Sequence, residues 1–346
     1  MSETVAPEEG SDQELYEHYR FIADPGQAII RLDRFLTDRL PRASRNQIQI
    51  ATKEGHVQVN GLVVKPSRKV KPGDEVRIVL PYPVPDYELI PEDIPLEILY
   101  EDDDVVVLNK QAGLVVHPGV GNKSGTLVNG LIYHFGKLPS AEGQPEPRPG
   151  LVHRLDKDTT GVMVVGKNEY ALSNLAMQFF HRTTDRLYNA ICWGDPEEDE
   201  GTIVGNVGRS LKDRKLMHVF EDGSQGKHAV THYRVLERFR YVSLVECKLE
   251  TGRTHQIRVH MAWKKHPLFN DAHYGGDRMV KGTSFSKYKQ FVDNCFKELP
   301  RQALHARTLA FDHPVTKERM SFESPLPQDM QVVLEKWRNY VVPESW

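Results

Sequence analysis

The chain has 346 residues, 39% of them hydrophobic and 27% charged, which excludes global disorder and suggests roughly two domains. No apolar run approaches the roughly 20 residues of a membrane helix, and the acidic start MSETVAPEEGSDQELYEHY lacks the basic-then-apolar order of a signal peptide, so a cytoplasmic protein with no membrane partner is expected. The 45 Lys and Arg against 48 Asp and Glu leave a net charge of −3, and Cys192, Cys247 and Cys295 stand too far apart for a C-x-x-C metal site or a disulfide framework.

Charge is segregated along the chain. Residues 1–28 carry seven acids against Arg20 alone, without periodic apolar positions after Val5, and are expected to form a solvated, mobile arm. Residues 29–80 reverse the sign, with eleven bases against five acids. Leu32, Phe35, Leu36 and Leu40 recur at helical spacing, and Pro41 ends that helix. Ser44 with Gln47 predicts the cap of a second helix that stops at Gly55. HVQVNGLVVK alternates about Asn60-Gly61, a strong hairpin signal, and the turn Lys71-Pro72-Gly73-Asp74 leads into the strand EVRIVL.

This helix–helix–hairpin–strand order, with the spacing SRNQIQ…EGHVQVNG…VKPSRKVKPGDEVRI, resembles the S4 RNA-binding domain over most of residues 29–80. Arg31, Arg45, Arg68 and Lys69 are its candidate phosphate contacts, since a clustered positive face releases counterions from an RNA backbone. A solvated charged face on a structural module is the alternative. Residues 81–95 hold Pro81, Pro83, Pro85, Pro91 and Pro95 and are expected to be a semi-rigid linker.

From residue 96 the expected fold is α+β, with a largely antiparallel mixed sheet and flanking helices. LEILY, DVVVLNK, GVMVVG, RLYNAICWG, HAVTHYRVL and YVSLVECKLE read as strands. Asn168 can cap a helix whose Leu172, Leu175, Ala176 and Phe179 share a face, and a second helix is predicted through THQIRVHMAW. Pro139 to Pro149 reads as a loop.

The stretch GLVHRLDKDTTGVMVVGKN, residues 150–168, admits three chemistries. Asp156 to Thr160 fits the D-x-D-x-T of phosphatases, but polar His153 and Arg154 precede it where a buried strand is needed. Gly161 to Lys167 fits G-x4-G-K, yet Asn168 replaces the magnesium-binding hydroxyl and the intervening residues favour a strand. The third is a family resemblance. H-R-L-D-x-x-T-[ST]-G before an apolar strand resembles the signature of the RluA-type pseudouridine synthases. NKQAGLVVHPG, RLYNAICWG (with Arg186 for the usual Lys), GKHAVTHYRVL, LETGRTHQIRVHMAWKKHP with its F-N-D-x-x-Y-G-G continuation, and HARTLAFDHP resemble the family's other motifs, in family order.

The resemblance implies isomerisation of uridine to pseudouridine in RNA, without metal or other cofactor. It assigns the catalytic carboxylate to Asp156, its guanidinium partner to Arg258 and the aromatic ring against the uracil to Tyr188. Arg154 is implied to enter the RNA as the target base flips out, a structural salt bridge being the alternative. Thr160, with Asp158, is expected to shape the Asp156 loop and is counted with the substrate-binding residues. His153 reads as a structural hydrogen-bonded residue; Lys227, His255 and His260 as RNA or framework contacts. On the predicted helix Thr254 and Arg258 are four apart and share a face, so that Arg258 can point inward while Ile257 and Met261 pack elsewhere. Residues 278–300, with Lys281, Lys287, Lys289, Phe291 and Phe296, form a longer connection than usual and are read as a surface insertion carrying a packed helix. The implied partner is large-subunit ribosomal RNA or a pre-ribosomal particle, with tRNA as the runner-up and no DNA. A monomer is expected, as no hydrophobic interface stripe is evident. An assembly factor with a silent site is the competing function.

Overall fold

The computed structural model describes residues 15–40, 43, 45–80, 89–119, 121–140, 148–213 and 215–341. The proposed end of the first helix at Pro41, the cap at Ser44, the N-terminal arm before residue 15, linker residues 81–88 and most of the Pro139–Pro149 loop lie outside them. The chain divides into two compact units, residues 1–88 with 141–148, and residues 89–140 with 149–346.

The first unit contains β1 (Tyr16–Ile22), β2 (Ile30–Arg31), α1 (Leu32–Arg39), α2 (Arg45–Lys53), β3 (Val57–Val59), β4 (Leu62–Val63), β5 (Lys69–Val70) and β6 (Glu75–Leu80). A four-stranded sheet runs in the order β1-β6-β3-β4. Leu32, Phe35 and Leu36 from α1 meet Ile48 of α2 and Val57, Val59 and Val76 of the sheet in one core. The hairpin turns at Asn60 and Gly61, both at positive φ (52° and 78°), as a two-residue turn of this type requires.

Two boundaries differ from expectation. Residues 16–22 are not a mobile arm: β1 pairs antiparallel with β6. Its side chains do not alternate cleanly in burial, so hydrophobic period misses it. The backbone ladder secures it, with Glu17 accepting from Arg77 and Arg20. Nor does the linker extend to residue 95, because Leu89 and Ile94 pack on the core of the second unit.

The second unit comprises β7 (Glu97–Glu101), β8 (Val105–Lys110), α3 (Leu127–Phe135), β9 (Thr160–Gly166), α4 (Glu169–His181), β10 (Asp185–Trp193), β11 (Glu200–Arg209), β12 (Met217–Phe220), β13 (Lys227–Arg238), β14 (Val242–Leu249), α5 (Gln256–Trp263), α6 (Ser286–Glu298), β15 (Leu304–Asp312), β16 (Arg319–Glu323) and α7 (Gln328–Val341). The sheet order is β12-β11-β13-β14-β10-β15-β9-β8-β7, with β16 beside β15. Among the described residues only β15 and β9 run parallel, so the sheet is mixed and mostly antiparallel, in an α+β fold as expected.

Strand alternation sorts the core. Tyr188, Ala190 and Cys192 of β10 join Leu155, Ile257 and Met261 in one cluster. Ile191 and Trp193 join a second cluster, with α6 and α7. In α6, Tyr288, Val292 and Cys295 are buried, so the expected insertion carries a packed helix, as read. Asn168 caps α4 by accepting from the Ala171 amide at 2.9 Å. All seven residues of β9 are buried, which removes the phosphate-loop alternative for Gly161–Lys167. The three cysteines are free and buried. No helix among the described residues is long and apolar enough to cross a membrane.

Candidate active site and RNA-binding face

Asp156 lies in the turn before β9, not at a strand's end, so the phosphatase context is absent. The Thr159 amide donates to the Asp156 carbonyl at 3.1 Å and closes the turn. Leu155, 5% exposed, anchors it in the core. Two buried cations hold the loop by its backbone. Lys110 Nζ donates to the carbonyls of Lys157 (2.9 Å), Leu114 (2.9 Å) and Gln111 (2.8 Å). Arg301 Nη1 donates to the carbonyl of Asp158 at 3.0 Å, while its Nε and Nη2 grip the Asp329 carboxylate. Burial pushes the Lys110 ammonium down to about 7, against the opposing charges of Asp158 and Asp156. Gly161 closes the motif at φ 117°; a Cβ there would stand 2.1 Å from the Ala306 carbonyl oxygen. Only glycine lets β9 and β15 meet here.

Arg258 reaches Asp156 from α5. Its Nη1 donates to Asp156 Oδ2 at 3.0 Å. Its Nε and Nη2 form a fork on the buried Asp271 carboxylate at 2.7 and 2.9 Å, and Nη2 also donates to His273 Nδ1 at 2.9 Å. The ring of Tyr274 lies 5.2 Å from the guanidinium. Burial opposes the charge on Arg258, but Asp271 and then Asp156 outweigh it and raise its pKa. The Asp156 side chain keeps 18% of its surface exposed, and Oδ1 stands 3.9 Å from His255 Nε2. The carboxylate therefore has one oxygen fixed by Arg258 and the other towards His255, with part of the group still exposed. Tyr188 is buried in the cluster that holds Leu155 and Ile257, each one residue from its acid or base. Burial raises its phenol pKa, opposed by Arg186 and aided by the charge of Asp156, so its hydroxyl stays protonated.

Other expectations fare unevenly. α5 begins at Gln256, with His255 in a left-handed conformation at φ 54° as its cap; Thr254 is outside the helix and does not share a face with Arg258. Thr160 is turned inward, sharing a hydrogen bond of 2.8 Å with His305 Nδ1. His305 Nε2 faces the Ser324 carbonyl at 3.0 Å, so it donates there and Nδ1 accepts the Thr160 hydroxyl. That hydroxyl is spent on the framework, which corrects its place among the substrate-binding residues. Arg154 is exposed and has no ion pair among the described residues, against the salt-bridge alternative. His153 stacks on Phe179 and accepts from the Val164 amide at 3.1 Å; burial pushes its pKa down to about 3, leaving a neutral structural ring. His260 is fully buried against Thr231 and belongs to the framework.

In the first unit, Asp33 is a buried hub. It accepts from Arg31 at 3.1 Å twice, from Arg45 at 3.0 and 2.9 Å, and from Gln49 at 3.0 Å. Arg31 and Arg45 are thereby pinned beside a hollow of about 610 Å³ that Arg34 and Thr37 also line. Arg68 and Lys69 are exposed and make no ion pair among the described residues. The Arg31 hydrogen bonds, against the cost of burial and with help from Gln49 and Arg45, hold the Asp33 carboxyl well below the usual range. A depressed carboxylate stabilises the fold above its unfolded pKa, near 3.8, and loses that contribution as pH falls. Amides of α1 and α2 should therefore lose hydrogen-exchange protection as pH drops from about 4 towards 2. In Asp33→Asn, protection at pH 7 should be lower and this acid dependence largely gone.

Residues 104–263 match the family model for RNA pseudouridylate synthase, and residues 30–76 match the S4 domain. An uncharacterized RNA pseudouridine synthase of Chlorobaculum parvum is 48% identical over 313 residues, 90% of this chain and 95% of that one. The chain belongs to the RNA pseudouridine synthase family. Ribosomal large subunit pseudouridine synthase D of Neisseria meningitidis serogroup A is 44% identical over 89% of this chain and 79% of its own. The enzyme of that name from Pseudomonas aeruginosa is 43% identical over 89% and 92%. A solved structure of human RNA pseudouridylate synthase domain containing 4 has a TM-score of 0.51 at 26% identity, over 70% of this chain and 93% of that one. As an RNA pseudouridine synthase the protein is an isomerase that carries an S4 domain.

For such an enzyme the residues that the motifs did not single out are those behind the acid: Asp271 and His273 on Arg258, and Lys110 and Arg301 on the loop. Asp271 stands inside the F-N-D-x-x-Y-G-G continuation and Lys110 in NKQAG. Their motif positions carried a signal, but nothing in the sequence says what they touch. Asp102, Asp104 and His313 also cluster closely enough to suggest a metal group. Asp102 is already engaged by Tyr100, His313 and two backbone amides, and Asp104 by Asn168, so the group reads as a structural lock.

Proposed function

We propose that the protein isomerises uridines in large-subunit ribosomal RNA, with Asp156 as the carboxylate that acts at the reacting nucleotide. The observation that carries this is the hydrogen bond of 3.0 Å from Arg258 to Asp156, made by a guanidinium whose other two nitrogens are held by Asp271 and His273. Asp156 thus meets a cation that cannot swing away, and its second oxygen lies outside that hydrogen bond. The reaction breaks the bond between ribose C1′ and uracil N1, joins C1′ to uracil C5, releases the C5 proton and places a proton on N1. Asp156 serves as nucleophile, at the ribose carbon or the ring, or as the base that abstracts a ribose proton. Tyr188 offers a ring face to the uracil and a protonated hydroxyl for proton transfer. Arg154, exposed and unpaired, fills the place of the everted base.

Arg31, Arg45, Arg68 and Lys69 supply phosphate contacts in the S4 unit. The names of the 43–44% identical relatives favour large-subunit ribosomal RNA. The protein is read as a cytoplasmic monomer that meets ribosomal RNA free or in a pre-ribosomal particle. Transcripts labelled with tritium at uracil C5 test the assignment. Release from large-subunit RNA and not from tRNA is expected. Release from tRNA alone would overturn the target, and release from neither would overturn the activity.

A further inference from the structure

Among the described residues four cations are buried: Lys110, Arg186, Arg258 and Arg301. Three are saturated by carboxylates or carbonyls, as described above. Arg186 is different. It is 8% exposed, yet it has no ion pair or side-chain hydrogen bond among the described residues, and its Nε is fully enclosed without a partner. Its guanidinium lies 5.5 Å from the ring of Phe179, which stacks on the neutral ring of His153 and packs on apolar core residues. Neither supplies negative charge. A buried charge without a counter-ion is costly, and proteins keep one chiefly where a ligand completes it.

The position points to the ligand. Arg186 is two residues before Tyr188 on β10. Its Nη1 would be 3.0 Å from a Cβ on Gly252. Gly252 is exposed, in the turn between β14 and α5. The fork therefore ends just under a surface that has no side chain to cover it, two residues along β10 from the tyrosine assigned to the uracil. A planar pair of N–H donors at such a spot suits a tetrahedral oxyanion.

We propose that Arg186 is a substrate-binding residue whose missing partner is an RNA backbone phosphate next to the everted uridine. The inference rests on Asp156 and Tyr188 being the reacting site. The phosphate completes the buried charge on binding, so Arg186 ties eversion of the nucleotide to its capture. Its cost falls on the free protein and is relieved in the complex.

The test uses the full chain and the shortest ribosomal transcript from which the wild type releases C5 tritium. If no transcript gives release, the functional reading fails before this question arises. Otherwise Arg186→Met is compared with wild type on RNA carrying a single neutral methylphosphonate 5′ or 3′ of the target uridine. Wild type should lose about 10- to 100-fold in kcat/KM at one of these linkages, the scale of a hydrogen bond to a charged group. Arg186→Met should lose about as much on unmodified RNA and nothing further at that linkage. The log–log salt slope should fall by about 0.7–0.9, one phosphate's worth. Arg186→Lys should recover part of the loss. The Tm of Arg186→Met should be unchanged or higher, since an uncompensated charge has gone. Full additivity of the Arg186→Met and linkage effects at both positions would overturn the proposal. So would a lowered Tm with kcat/KM unchanged, which marks a structural arginine.

Discussion

Asp156→Asn should lower kcat for tritium release by about 10⁴-fold or more, the upper range of a positioned acid–base or nucleophilic group. Asn keeps the shape and one oxygen for Arg258 Nη1, so the geometry of the loop persists. What is lost is the negative charge and its lone-pair basicity. Arg258 is not stranded, because Asp271 still holds it by two bonds. The variant should therefore stay folded, with a Tm close to wild type. Its affinity for RNA should change by no more than about threefold, because phosphate contacts on basic residues carry most of the binding. Loss of activity together with loss of folding would instead mean that Asp156 is structural.

Asp271→Ala should act by a different route. It removes both forked bonds from a guanidinium that is 2% exposed. Breaking one side of such a buried pair typically costs about 3–5 kcal/mol. Arg258 would then relax towards Asp156 and His273, shifting the carboxylate. A displacement of the order of 1 Å can cost about 100-fold in rate. Asp271→Ala should thus show both a lower denaturation midpoint and a fall of about 100-fold in kcat. Pairing it with Arg258→Met should recover much of the stability and none of the activity, because a buried ion pair replaced by apolar groups is often neutral. A double variant as unstable as the single one would contradict this division of labour.

The two variants separate what the sequence can show from what it cannot. Asp156, Tyr188 and Arg258 sit in ordered local motifs, and the first and last of them meet in space. Asp271 is 13 residues beyond Arg258 in an irregular segment, and no periodicity links them. Lys110 is 47 residues from the carbonyl it holds, and Arg301 is 143 from its own; such pairings depend on which strands become neighbours. The antiparallel pairing of β8 with β9 brings Lys110 to the loop, and the parallel contact of β15 with β9 brings Arg301 there.

Local structure was legible where one face is dry. The strands β8, β9, β10, β13 and β14 show as apolar runs or alternation. β11 and β12 lie towards one end of the sheet with mixed burial, which weakens their signal. In α3 the helix is interrupted in sequence by Gly130, which packs against Ile94. It is started by Asn129 accepting from the Thr126 amide and hydroxyl rather than by the common acidic cap. In α7 Met330, Val333, Leu334 and Trp337 are all buried at helical spacing, but no motif marks the segment. β1 was hidden because charge, not hydrophobicity, marks it.

The most direct measurement is a pseudouridine map of total RNA from cells whose only copy of the gene carries Asp156→Asn, set against the unaltered strain. The account predicts that one or more large-subunit ribosomal uridines lose their modification while tRNA pseudouridine is unchanged. Identical maps, with the variant protein present at normal levels, would contradict it.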